Sequence, residues 1–248
     1  MRADCPCACD SVHHNETVGA SAPDWSRRGL LRSGTALTAG LLAGLGSGIA
    51  LPAAAWAQTQ MTPDAALQAM MDGNKRFTQA QMTSFNDDLK LLKEHTAEGQ
   101  APFAAILSCA DSRVPVELVF DQTIGHLFVT RVAGNIATPD LIASLEYGAA
   151  VLGTKAIMVL GHANCGAVDA TIKAKAVPGQ ISVLYRSIRP AVDQAGPNLD
   201  AAIKANAKIQ AGLLRTASPV LAEQIKANQL KIVAAYYDLA TGVVTLLD

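Results

Sequence analysis

Apolar positions in this chain fall into two kinds of pattern. Four short runs, "PFAAILSC" (Pro102 to Cys109), "HLFVTRV" (His126 to Val132), "KAIMVLGH" (Lys155 to His162) and "LKIVAAYYD" (Leu230 to Asp238), are bounded by polar or turn residues. They predict buried strands. Longer stretches between them carry helix signals. "TPDAALQAMMDGNKRFTQA" (Thr62 to Ala80) sets Thr62 as N-cap and Pro63 in the first turn, with Leu67, Met70, Met71 and Phe77 partly spaced for one face. A second helical stretch covers Phe85 to Ala97. Thr138 to Gly153 is capped by Thr138, started by Pro139 and stopped by Gly153. Helical pieces are expected through Ser182 to Gly196 and Asp200 to Asn228. "LATG" then turns the chain into "VVTLL" (Val243 to Leu247), an edge strand. Strands separated by helices make βαβ units. The expected fold is therefore α/β: a mainly parallel four-stranded sheet with one antiparallel edge strand, flanked by helices. Such sheets take ligands at the C-terminal ends of their strands.

A different pattern precedes residue 58. "SRRGLLR" (Ser26 to Arg32) pairs Arg27 with Arg28, and the stretch Gly34 to Ala50 is apolar, rich in Gly and Ala and free of charge. "AWA" (Ala55 to Ala57) fits a small-residue cleavage site, with Gln58 as the new N-terminus. The paired arginines resemble a twin-arginine signal. Residues 1–57 are thus expected to be a leader, residues 58–248 the mature domain, and the location periplasmic or otherwise exported. An uncleaved membrane anchor is the alternative. The tail "CPCACDSVHH" (Cys5 to His14) holds three cysteines and two histidines and is read as discarded with the leader.

Half of the 248 residues are hydrophobic, enough for a full core. The formal net charge of −1 gives no basic footprint for nucleic acid. No apolar run in the body reaches spanning length, so stable membrane association is not expected after cleavage.

Of the five cysteines, only Cys109 and Cys165 lie beyond the leader. In an exported protein a disulfide is the default for such a pair. Their neighbours point elsewhere. Cys109 and Asp111, in "CADSR", stand two apart, where an extended chain sends side chains to one side. His162 and Cys165, in "GHANC", stand three apart, which a helical turn brings together. Both motifs fall at predicted strand C-terminal ends. Two thiolates, an imidazole and a carboxylate form a tetrahedral zinc set, and the sulfur and nitrogen donors favour zinc over magnesium or calcium. Arg113 competes with the metal for Asp111 through a planar bidentate pair. With Asp111 on the ion the centre is saturated. With Asp111 on Arg113 the fourth position takes water, which zinc activates. The sequence leaves both states open.

These residues resemble the beta-class carbonic anhydrases. The likeness is carried by "CADSRVP" (Cys109 to Pro115), "ELVFDQTIGHLFVTRVAGN" (Glu117 to Asn135), "SLEYGAAVLG" (Ser144 to Gly153) and "VLGHANCGAV" (Val159 to Val168). "GNKRF" (Gly73 to Phe77) and "YYDLATGVV" (Tyr236 to Val244) add to it. The resemblance implies one zinc ion on Cys109, His162 and Cys165, with Asp111 either on the metal or on Arg113. It implies reversible hydration of CO2 to bicarbonate and a proton by zinc-bound hydroxide, with Asp111 orienting it. It also implies a homodimer or larger homo-oligomer. Amides near Gly166 and Ala167, at a helix start, are candidates for binding an anion.

"QTIGHLF" departs from many relatives, placing Thr123, Ile124 and His126 where an acid and more glycine stand. His126 is a candidate proton shuttle, set against an ordinary loop or strand-edge histidine. Both tryptophans, Trp25 and Trp56, lie in the leader, so no Trp-built bicarbonate pocket is expected. Two other functions fit the motifs. One is a zinc hydrolase acting on a CO2 analogue such as carbonyl sulfide or carbon disulfide. The other is an exported zinc-binding protein without catalysis.

Overall fold

The structure is a computed structural model that describes residues 58–86, 89–174 and 176–247. The export-signal reading and the Cys-rich tail lie outside the described residues. Among the described residues the strands form one five-stranded sheet, ordered β2-β1-β3-β4-β5. These are β1 (Ala104–Ser108), β2 (Leu127–Arg131), β3 (Ala156–His162), β4 (Lys231–Tyr237) and β5 (Val244–Leu247). The first four run parallel and β5 returns antiparallel along β4. The expected architecture is the observed one. No helix among the described residues is long and apolar enough to cross a membrane.

The order of the strands is what makes a site. From β1 the chain moves to one side to form β2, then crosses back over β1 to form β3. The turn of direction leaves a crevice beyond the C-terminal ends of β1 and β3, where open α/β sheets take their ligands. Ser108 pairs with Leu160 in register, so Cys109 and His162 both fall just beyond the last rung that β1 and β3 share.

Alternation along the strands divides the core. Ala104 and Ile106 of β1, with Met158 and Leu160 of β3, face a cluster with Ala66, Leu67 and Met70 of α1 (Pro63–Thr78) and Val116 and Val119 of α3 (Val116–Val119). Ala105, Leu107, Ile157 and Val159 face the other way. There they meet Leu145 of α4 (Pro139–Ala150), Ala207, Ala211 and Leu214 of α7 (Leu199–Ala217) and Leu221 of α8 (Pro219–Lys226). A third cluster covers the strand ends: Cys109, Ile136, Cys165, Val168, Ile188 and Ile203. It joins α5 (Gly166–Lys173), α6 (Tyr185–Ala195) and α7 around the two cysteines.

Local signals behave unevenly. The Thr62 hydroxyl accepts from the Ala65 amide at 3.2 Å, as its cap role requires. Thr138 makes no such side-chain bond, and its helix starts on the backbone carbonyl alone. The stretch Phe85 to Ala97 becomes a 3₁₀ turn at Ser84–Asn86 and α2 (Leu89–Thr96). The helical region Asp200 to Asn228 breaks at Ser218, whose hydroxyl caps α8 at Leu221 while Pro219 opens it.

Two close approaches fix α1. Asp121 has a fully buried side chain, takes the Arg76 Nε at 2.6 Å and accepts from the amides of Thr83 and Ser84. Burial alone would raise its carboxyl, but these donors outweigh it and hold the group well below the usual range. At Gly73, an added Cβ would lie 1.8 Å from the Phe120 carbonyl oxygen. Gly73→Ala is therefore expected to destabilise the protein. Overpacking this deep against immobile backbone costs about 3 kcal/mol, the upper end of the usual range, against a helix-propensity gain of about 1 kcal/mol. A fall in Tm of about 2–8 °C in a thermal melt is the expected result. An unchanged or higher Tm would show that α1 and α3 are not packed this closely.

Candidate metal centre

Cys109 follows β1 directly, His162 is the last residue of β3, and Cys165 is the N-cap of α5. Between them Asn164 takes φ +53°, a left-handed conformation that asparagine tolerates. That residue turns the chain from strand into helix and brings Cys165 back beside His162. Gly161 lets α7 approach, since a Cβ there would stand 3.1 Å from Ile203.

The ligand atoms of Cys109, His162 and Cys165 all lie within 4.8 Å of one another. The three residues are 4%, 0% and 1% exposed. The sulfurs are not joined in a disulfide, which removes the alternative pairing. His162 Nδ1 stands 2.9 Å from the Ala163 carbonyl oxygen. A carbonyl only accepts, so this contact assigns the ring proton to Nδ1 and leaves a lone pair on Nε2. That buried Nε2 has no hydrogen-bond partner among the described residues. A buried lone pair aimed at two sulfurs is a poor arrangement by itself and a good one for a soft or borderline divalent ion. The donor set fits zinc.

Electrostatics prepare the same set. The Cys109 thiol is drawn well below its ordinary value, first by the Cys165 thiol, then by His162 and the amide of Gly134, against the opposing effect of burial. Cys165 is pushed up in turn by the Cys109 sulfur and by burial. The amides of Ala167 and Val168, at the start of α5, pull the other way on its sulfur.

Asp111 is turned to Arg113. Arg113 Nε donates to Oδ1 at 2.9 Å and an Nη to Oδ2 at 2.7 Å, and the Arg113 backbone amide adds a third bond at 2.9 Å. These bonds hold the Asp111 carboxyl below the ordinary carboxylate range. Its Oδ2 stands 3.8 Å from His162 Nε2, at the rim of the cluster. Arg131, from the end of β2, donates to the backbone carbonyls of Cys109 and Asp111 and so pins the loop that carries both. Its part was missed in the sequence, where it reads as a strand-end cation.

His126 falls elsewhere. Its carbonyl accepts from Phe103 at the start of β1, its ring meets Gln122 at 3.2 Å, and it precedes the first residue of β2. It sits at the opposite end of the sheet, roughly 15 Å of strand from the cluster. It cannot shuttle protons for the centre in its own chain.

The match to known proteins follows this geometry. A family model described as carbonic anhydrase matches residues 104–244, more than half of the chain. Carbonic anhydrase 2 of Mycobacterium tuberculosis is 32% identical over 200 residues, spanning 75% of this chain and 93% of that protein. The chain belongs to the beta-carbonic anhydrase family. A beta-carbonic anhydrase of Coccomyxa, solved with acetazolamide, is 27% identical with a TM-score of 0.58, covering 73% of this chain and 86% of that one. A beta-carbonic anhydrase of Sordaria macrospora, described as tetrameric, shares the fold at a TM-score of 0.57 and 23% identity, over 62% of this chain and 84% of that one. The matched segment contains the whole of this carbonic anhydrase's Cys-His-Cys cluster and its Asp111–Arg113 pair.

Proposed function

We propose that this carbonic anhydrase hydrates CO2 reversibly to bicarbonate and a proton, with zinc held by Cys109, His162 and Cys165. One observation carries the reading: Asp111 is bound bidentate to Arg113 rather than lying among the three ligands. Three protein ligands rather than four is the donor count of catalytic zinc sites. Zinc, when bound, supplies Lewis acidity that brings the pKa of water near neutrality.

The chain's own residues do the rest. His162 presents Nε2 because the Ala163 carbonyl fixes its other nitrogen. Arg113 holds Asp111 ionised, so its carboxylate accepts a hydrogen bond from the attacking water and aims its lone pair at the carbon of CO2. Ile136, Val168 and Ile188 close the far side of the cysteines and exclude bulk solvent there.

The subunits form a homodimer or larger homo-oligomer. The tetrameric Sordaria relative supports this, as do the exposed Ile124, Tyr147 and Val151 side chains. Arg27, Arg28, the apolar stretch after them and "AWA" support export to the periplasm through a twin-arginine signal, with residues 58–248 as the mature enzyme.

Metal analysis combined with a CO2 hydration assay on the protein from Gln58 onward tests the reading. One zinc per chain with hydration across neutral pH is expected. Stoichiometric zinc with no hydration would favour a non-catalytic site. Turnover confined to carbonyl sulfide or carbon disulfide would favour a hydrolase.

A further inference from the structure

Two amide side chains are buried in α7 where nothing in the proposed chemistry calls for them. Asn206 is 0% exposed and Gln210 is 2% exposed, one turn apart on one face of the helix. Burying an amide without partners costs roughly 1–3 kcal/mol, so each must be well bonded to persist. Both are bonded to the loop that joins β2 to α4. Asn206 Nδ2 donates to the Gly134 carbonyl oxygen at 2.9 Å. Gln210 Oε1 accepts from the Ala137 amide at 2.9 Å. Gln210 Nε2 donates to the Ser187 carbonyl at 3.0 Å and to Asn206 Oδ1 at 3.2 Å. The two side chains clamp the loop at two points, Gln210 at the Ala137 amide and Asn206 at the Gly134 carbonyl.

Gly134 needs holding. It takes φ +80°, and a Cβ there would lie 2.7 Å from the Ile188 side chain, so the position requires glycine. Glycine has the widest backbone freedom and would not keep one orientation unaided. Its amide nevertheless donates to the Cys109 sulfur at 3.3 Å. An N–H···S bond draws electron density from the sulfur and fixes the side from which its remaining lone pairs approach a ligand.

We propose that Asn206 is a positioning residue of the metal centre, holding Gly134 so that its amide bonds the Cys109 sulfur and thereby sets the grip and electron donation of that ligand. This rests on the reading of Cys109, His162 and Cys165 as metal ligands. Asn206 itself touches neither metal nor substrate; its effect passes through one peptide.

Cobalt(II) bound to the protein reports both properties through its sulfur-to-metal charge-transfer absorption and its rate of release to a chelator. Asn206→Leu removes the bond to Gly134 at nearly constant volume, and Asn206→Ser is the milder variant should the first fail to fold. In both, the charge-transfer band is expected to move to longer wavelength, because an unbonded sulfur gives up charge more readily. Cobalt release is expected to quicken by about 10–100-fold, the usual size of an outer-shell effect. Gln210→Leu, which disturbs the same buried clamp but leaves the Asn206 bond to Gly134 in place, is expected to keep the wild-type band and release within about threefold of wild type. Asn206 variants with the wild-type band and rate would overturn the proposal. So would Gln210→Leu matching them in both, since general loosening would then explain everything. Wild-type protein that binds no cobalt would remove the metal-site reading and this inference together. Wild type that binds cobalt while the Asn206 variants behave like it removes this inference alone.

Discussion

Cys165→Ser is expected to leave a folded protein that holds no metal. Cys165 occupies the N-cap of α5, where serine is among the best residues, and its sulfur makes no cap bond that the change would remove. The fold therefore has little reason to suffer. The metal has good reason to leave. Binding of a zinc ion at a protein site is worth about 10–16 kcal/mol over its full ligand set. Loss of one thiolate removes about 3–5 kcal/mol of it, which is roughly a 10²–10⁴-fold weaker site. After gel filtration in a chelator that leaves zinc on the parent, zinc content near zero and CO2 hydration at the solvent rate are the expected results, with the far-ultraviolet dichroism of the parent. A variant retaining one zinc per chain would mean that Cys165 is not a ligand.

Asp111→Ala is expected to separate the two properties. Metal content should stay at one per chain, because Asp111 lies outside the Cys-His-Cys cluster and is bonded to Arg113. Hydration should fall by about 100-fold or more, the usual worth of a positioned group that orients and accepts a proton. Stopped-flow kcat/KM alongside metal analysis makes the check, and wild-type turnover would remove the role given to this carboxylate. The pH sense follows from the lowered Asp111 carboxyl. The folded value lies below the unfolded one, so the ion pair with Arg113 contributes fully above the ordinary aspartate range. That contribution disappears only as pH falls through the lowered folded value. Any change in activity near neutral pH must then come from another group.

The strands were legible because each is a short apolar run with polar bounds, as at Ala104–Ser108 and Ala156–His162. The Cys109, His162 and Cys165 set was legible because each member ends or follows such a run. The break at Ser218 was available too, since serine before proline is a helix-start signal, but it sat inside a long alanine-rich stretch that masked it. Other features had no local signature. Asp121 reads as a surface acid and is buried against Arg76, a partner 45 positions away. Asn206 and Gln210 have no mark in the surrounding sequence and are buried over the Gly134 loop. His126 reads as a candidate shuttle beside a strand that leads to the site, but it stands at the wrong end of that strand.

The sequence by itself determined the α/β alternation, the antiparallel final strand and which side chains gather as the Cys-His-Cys cluster. These depend on period, turn residues and donor type, all of which are local properties of the chain. Only the tertiary structure decided that β1 and β3 lie side by side, that Asp111 rests on Arg113, and that Asn206 reaches Gly134. Each of these is a choice among partners far apart in sequence, settled by which arrangement buries the most apolar surface while leaving the fewest polar groups unpaired.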